Sequence, residues 1–182
     1  MIIHNGKTIW AVTMIETENL ILRPIDKSDA DRMFEVYSNP TVMKYIYDGS
    51  TFTREKTIKR VEECLLHWEK HGHGLFVMIE KNTTKTVGYC VLRYFNDDHL
   101  DLYGKIEIGY TLDEPFWGKG YATEAVKACI KFGFDQCHFD RILATILPDN
   151  IASQKVVKKA GMVYIGDLET HGLVHQIYEK TQ

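Results

Sequence analysis

The 182-residue chain has no apolar run of the roughly 18 residues that a membrane-crossing helix needs. Its first residues also lack the basic-then-apolar order of a secretory leader, so the chain is expected to stay in the cytoplasm, away from any membrane. Positive charge is in short supply: 22 Lys and Arg stand against 25 Asp and Glu, a formal net charge of -3, and the lysines are scattered. With no basic field to hold a phosphate backbone, no nucleic-acid partner is expected. Only four cysteines are present, Cys64, Cys90, Cys129 and Cys137. Their spacing matches no zinc or redox motif, so they are expected as reduced core thiols with no metal. No internal repeat and no low-complexity linker marks a seam between two domains.

What is there is close to the globular average, 45% hydrophobic and 26% charged, on a chain long enough to bury one continuous core. We expect an N-terminal extension over 1–13 and a single domain over 14–182. MIIHNGKTIWAVT has no clear period and precedes Met14, where MIETENLILRPI begins a patterned strand. The extension reads either as a start placed upstream of Met14 or as an added strand over a sheet edge. The alternation at Leu20 and Leu22 marks a strand ended by Pro24. Asp26 caps a helix over 27–37 with Ala30, Met33, Phe34 and Tyr37 on its inner face, and Asn39 with Pro40 breaks it. Thr53 opens a longer helix with a stripe of Ile58, Val61, Leu65 and Trp68, ended by HGHG at 71–74. Three strands follow as an antiparallel meander, at 75–80, 86–95 and 105–112, joined by a short turn at 82–85 and a polar loop at 96–99. A helix (120–134), a strand (141–146), a helix (152–160) and two strands (162–168 and 173–179) complete the order. Without strict βαβ alternation, this is an α+β, mixed α/β domain.

The most informative stretch is KIEIGYTLDEPFWGKGYATEAVKACIKFGF at 105–134, a strand that turns into a glycine-rich helix start. Such a turn aims unpaired backbone N–H groups and the positive end of the helix dipole at one point, where a pyrophosphate fits. Gly118 and Gly120 let oxygen atoms approach the backbone closely, and Lys119 adds a cation. WGKGYAT has neither the spacing nor the ending of a nucleotide P-loop, and a dinucleotide fingerprint would need a third glycine where Thr123 stands. Alone, Gly118 and Gly120 read equally as a tight turn before a helix.

Four segments in order resemble the GNAT acetyltransferase superfamily, and within it the branch of the RimJ and RimL ribosomal-protein N-terminal acetyltransferases. They are NLILRPIDKSDADRMFEVYSNPTVMKYI, KTVGYCVLRYF, EIGYTLDEPFWGKGYATEA and LPDNIASQKVVKKAGM, spanning most of the chain from Thr17 to Val163. The resemblance implies a central mixed, mostly antiparallel twisted sheet flanked by helices, with a splayed strand pair holding acetyl-CoA. It implies that the backbone of Tyr110, Thr111 and Leu112 pairs with the pantetheine arm. The amides of Gly118, Lys119, Gly120, Tyr121, Ala122 and Thr123, next to Trp117, would hold the pyrophosphate of coenzyme A. Asn150 and Ser153 would lie beside the far end of the arm; Asn150 reads equally as a helix cap. The Tyr that protonates the leaving thiolate in many members aligns with Val157, so that acid is absent, and the branch's Glu-Gly falls at Ile165 and Gly166, which puts a role for that carboxylate in doubt.

The implied reaction is direct acetyl transfer to an amine, without an acyl-enzyme. It needs a neutral nitrogen, a polarised thioester carbonyl and a stabilised thiolate. The catalytic candidates are the backbone N–H of Tyr110 for the oxyanion, Glu107 as base, directly or through water, and Ser153 to hydrogen-bond the thiol. Glu107 reads equally as a sheet-surface carboxylate. His71 and His73 are expected at a helix terminus rather than on a metal. Trp68, Tyr45 and Tyr47 are set down either as an acceptor pocket or as core and lid aromatics. The acceptor is expected to be a primary amine, on a protein N-terminus or on a small molecule such as a polyamine, amino acid or antibiotic; a CoA-binding module without catalysis is the reading of another class. The C-terminal edge strands would suit a homodimer.

Overall fold

The computed structural model of the chain describes residues 2–4, 7–9, 14–95, 104–170 and 172–182. The polar loop expected at 96–99 lies outside them. Strands β1 (Ile2–His4) and β2 (Lys7–Ile9) pair with each other in a ladder of their own. Among the described residues they pair with no strand of the main sheet.

The main sheet begins with β3 (Ile15–Glu16) and β4 (Leu20–Pro24). Asp26 closes a capping box over a 3-10 turn, Lys27–Asp29, and α1 (Ala30–Tyr37) starts only after it. Asn39 then caps a separate short helix, α2 (Pro40–Met43), whose first residue is the proline that ends α1. Helix α3 (Arg54–His71) is capped by Thr53 and ended by Gly72, a left-handed residue at φ 71° whose N–H bonds the Trp68 carbonyl. Its buried face is Thr57, Val61 and Cys64, and Ile58, expected inside, is 46% exposed. The stripe turns because the Thr57 hydroxyl donates to the Thr53 carbonyl at 2.9 Å, so it can go inside without an unmet polar atom.

Strands β5 (Leu75–Glu80), β6 (Thr86–Tyr94) and β7 (Ile106–Leu112) form the expected meander. They are followed by α4 (Tyr121–Asp135), β8 (Arg141–Ile146), α5 (Ile151–Lys159), β9 (Val163–Thr170) and β10 (Leu173–Thr181). The eight-stranded order is β3-β4-β5-β6-β7-β8-β10-β9. Every pair is antiparallel except β7 with β8. Side chains alternate between the two faces. Leu20, Leu22, Phe76, Met78, Cys90 and Leu92 face α4, with its Ala125, Val126 and Cys129. On the opposite face Val77 and Tyr89 pack on Met33, Val36, Val61 and Cys64 of α1 and α3. The four cysteines are free thiols, and three of them are buried.

Candidate active site

The parallel pair β7–β8 holds for two positions only, Ile106 with Ile142 and Glu107 with Leu143. Beyond Glu107, β7 stays on β6 as far as Leu112, while β8 stays on β10 as far as Ile146. The sheet therefore splits in its middle.

Which backbone groups face the split follows from the ladder. Asp113 N donates to Val87 O and Phe95 N donates to Lys105 O, both at 2.9 Å, so odd-numbered residues of β7 are the ones that exchange hydrogen bonds with β6. Tyr110 and Leu112 have the other parity. Their N–H and C=O groups point away from β6 into the split, and those of Thr111 are used in the ladder with Tyr89. Of the three residues expected to pair with an extended arm, two thus present their backbone to it. The Leu112 carbonyl accepts from Trp117 Nε1 at 2.9 Å, which pins that half-exposed indole across the mouth of the split. Tyr110's own hydroxyl donates to the Ser153 carbonyl at 3.1 Å, and burial pushes its pKa well up.

At the mouth, a 3-10 turn, Glu114–Phe116, delivers the chain to Gly118 at φ 76° and Gly120 at φ 86°. A Cβ at either glycine would meet nothing within 4 Å, so the glycines are required by backbone conformation and not by crowding within the protein. Gly120 is the N-cap of α4 and supplies no side-chain cap. Among the described residues the N–H groups of Gly118, Lys119, Gly120, Tyr121, Ala122 and Thr123 have no acceptor. Six donors beside one helix start suit a diphosphate. The Lys119 ammonium stands 3.8 Å from Glu80, whose carboxylate also takes the Tyr121 hydroxyl; Glu124 fixes the first turn by accepting from Asn19 N at 2.7 Å. Across the split, Asn150 Oδ1 accepts from Ser153 N at 3.1 Å, so the cap reading of Asn150 holds, and Asn150 and Ser153 also line the cleft.

That cleft, about 1120 Å³, runs through the split to the α1–α3 face. Glu107 lies on its floor at 8% exposure. One of its oxygens accepts from Arg93 Nε at 2.9 Å and Nη2 at 2.8 Å, the other from Thr145 Oγ1 at 2.8 Å. The Glu107 charge raises the pKa of Arg93, against the effect of burial. Tyr45 and Tyr47 line the cleft; Trp68 does not, because its Nε1 donates to the Leu75 carbonyl at 2.9 Å and its ring packs on Phe76. His73 is buried with Nδ1 on the Leu92 carbonyl at 3.1 Å, and no group of metal-competent side chains occurs among the described residues. Sequence reasoning missed Arg60, Arg93 and His175, which also line the cleft; His175 keeps Nδ1 buried with no partner among the described residues.

The split, the uncapped helix start and the cleft lie together on the sheet. A family model described as acetyltransferase (GNAT) domain matches residues 19–163. The chain belongs to the GNAT acetyltransferases, enzymes that transfer an acetyl group from acetyl-CoA to an amine nitrogen. It is 32% identical over 149 residues to the uncharacterised N-acetyltransferase YnaD of Bacillus subtilis strain 168, covering 81% of each chain. A GNAT-family acetyltransferase structure from Bacillus anthracis is 29% identical, with a TM-score of 0.75 over 92% of this chain and 96% of that one. RimL, a ribosomal-protein α-N-acetyltransferase solved with coenzyme A, shares the fold at 20% identity, with a TM-score of 0.77 over 93% of this chain and 98% of its own. In the described residues no helix is long and apolar enough to cross a membrane.

Proposed function

We propose that the chain holds acetyl-CoA in the β7–β8 split and passes its acetyl group directly to a primary amine that enters from the α1–α3 face. The observation that carries this reading is the orientation of the Tyr110 N–H, free of β6 and aimed into the split. The donors at 118–123 fit the diphosphate, and the outward backbone of Tyr110 and Leu112 fits the amide-bearing arm. When bound, acetyl-CoA supplies an activated thioester.

The chain's residues then divide the work. The Tyr110 N–H stabilises negative charge on the carbonyl oxygen as the amine nitrogen attacks; the C–N bond forms and the C–S bond breaks. Glu107, with lone pairs left beyond its three hydrogen bonds, takes the amine's proton through a water. The Ser153 hydroxyl, which lies beside the Tyr110 phenol, hydrogen-bonds the departing sulfur. Val157 is fully buried and offers no acid there.

The acceptor amine sits on a protein N-terminus, as for RimL, or on a small molecule, and β9 at the sheet edge joins two chains as a dimer in the cytoplasm. Thiol release measured across peptides and small amines tests the transfer. Release with an amine, saturable in both substrates, supports it. Tight CoA binding without release for any acceptor would leave a non-catalytic CoA-binding module.

A further inference from the structure

The chain carries net negative charge, yet its cleft does not. Four cationic side chains line it against three carboxylates, and each of those carboxylates is engaged. Asp48 accepts from Ser50 N at 3.0 Å and Ser50 Oγ at 2.6 Å, in its own turn. Glu107 is taken by Arg93 and Thr145. Glu63 is half-exposed and reaches Arg60 Nη1 only at 3.4 Å, long for a charge-assisted hydrogen bond.

Arg60 is left over. Its side chain is only 20% exposed, and the remaining guanidinium donors have no acceptor among the described residues. Buried charges are ordinarily paired, because an unpaired one keeps its desolvation cost without compensation. The Arg93 guanidinium, paired with Glu107, lies near Arg60, and the Tyr47 hydroxyl lies beside Arg93. Tyr47 is held at φ 54°, a left-handed conformation costly for a tyrosine, and stacks on Phe52 with ring centroids 5.8 Å apart. A planar fork with free donors, a second guanidinium and a fixed phenol form a seat for a planar anion.

We infer that the acceptor amine also carries a carboxylate, and that Arg60 binds it and selects for it. This rests on the transfer reading above. Arg60 acts on specificity and takes no part in moving the proton or the acetyl group.

Matched acceptors that differ only in the carboxylate test the inference with the full chain and acetyl-CoA. Free phenylalanine against phenethylamine covers a small-molecule source, and the tripeptide amide Ala-Asp-Ala against Ala-Asn-Ala covers a peptide source. Thiol release is expected to favour the carboxylate member of one pair by about tenfold or more in kcat/KM, and the pair that responds tells the source. Arg60→Gln should bring that ratio close to one by raising KM, with Arg60→Lys intermediate. Equal or reversed preference in the unmodified chain, or a ratio that survives Arg60→Gln, overturns the inference and leaves transfer standing. If no acceptor releases thiol, calorimetry on the CoA-saturated protein decides: a carboxylate member that binds, its partner not, with binding lost in Arg60→Gln, keeps the carboxylate seat while transfer falls. Absence of binding by every member sinks both.

Discussion

Arg93 on β6 and Glu107 on β7 face each other across one hydrogen-bonded rung of the ladder, and their side chains meet at 2.8 Å on the floor of the cleft. The pair ties the floor of the cleft to the last residue before the sheet splits. Glu107→Gln keeps the shape, removes the proposed proton acceptor and leaves Arg93 without its counter-charge. We expect turnover to fall by about 10²-fold at neutral pH with CoA affinity little changed. His175, whose Nδ1 has no partner among the described residues, lies at the same cleft and is the control. If His175→Gln slows turnover as much and removes an inflection from the pH–rate profile that Glu107→Gln leaves in place, the base is the imidazole.

Gly120→Glu is expected to abolish acetyl-CoA binding while the domain stays folded. The added Cβ enters open space, so the fold bears only the left-handed backbone cost, about 1–2 kcal/mol. The carboxylate would stand beside the six unpaired amides proposed to hold a diphosphate. Gly120→Ala carries the same strain without the charge and should retain most of the affinity. Calorimetry with CoA separates them; equal affinity in all three proteins would take the turn out of the site.

Much of this was readable along the chain, wherever the signal is local. Thr53, Gly72 and Asn150 cap helices as their residue types require, and the glycines of the α4 start sit at positive φ where a tight turn demands them. The split was known only through family likeness, because it is a matter of register: two β7–β8 rungs form and a third does not. The α1–α3 side of the cleft was largely unreadable. Arg60, Arg93 and His175 come from α3, β6 and β10, and no spacing links residues that only the folded sheet brings together. Trp68 stays open between pocket and core in the sequence for a related reason, since a tryptophan whose N–H finds a buried carbonyl is as much at home in the core as in a pocket.

The imidazoles of His67, His71 and His73 crowd one another beside Tyr94, with His67 4.6 Å from His71 and 5.0 Å from His73 between ring centroids. Burial, then the neighbouring His73 and His71, then Arg60 and Arg93, push the His67 pKa down to about 4. Burial lowers His71 and His73 as well. A folded-state value below the ordinary one means that the unfolded chain binds the proton first. The contribution to stability is complete above the ordinary histidine range, near pH 6.5, and is lost as pH falls from there towards about 4. Discounted for partial exposure, His67 accounts for about 1–2 kcal/mol of that loss. Urea midpoints at pH 7.5 and pH 5 should show it, and His67→Gln should flatten it; an unchanged slope would acquit the cluster.

Strand β9 ends the sheet, pairing with β10 alone among the described residues. Native edges of this kind are ordinarily blunted by charge or covered. Here Val163 is 66% exposed and Ile165 49%, with Leu173 and Val174 of β10 also bare. Two copies related by a two-fold axis would set β9 beside its mate, closing both edges and burying the apolar side chains in one self-complementary contact. Light scattering at micromolar concentration is expected to return twice the chain mass. Ile165→Lys places two ammonium groups in that contact and should halve the mass, with the melting temperature then losing its dependence on protein concentration. A monomer before the substitution, at every concentration tried, would leave β9 as an edge protected by some other partner.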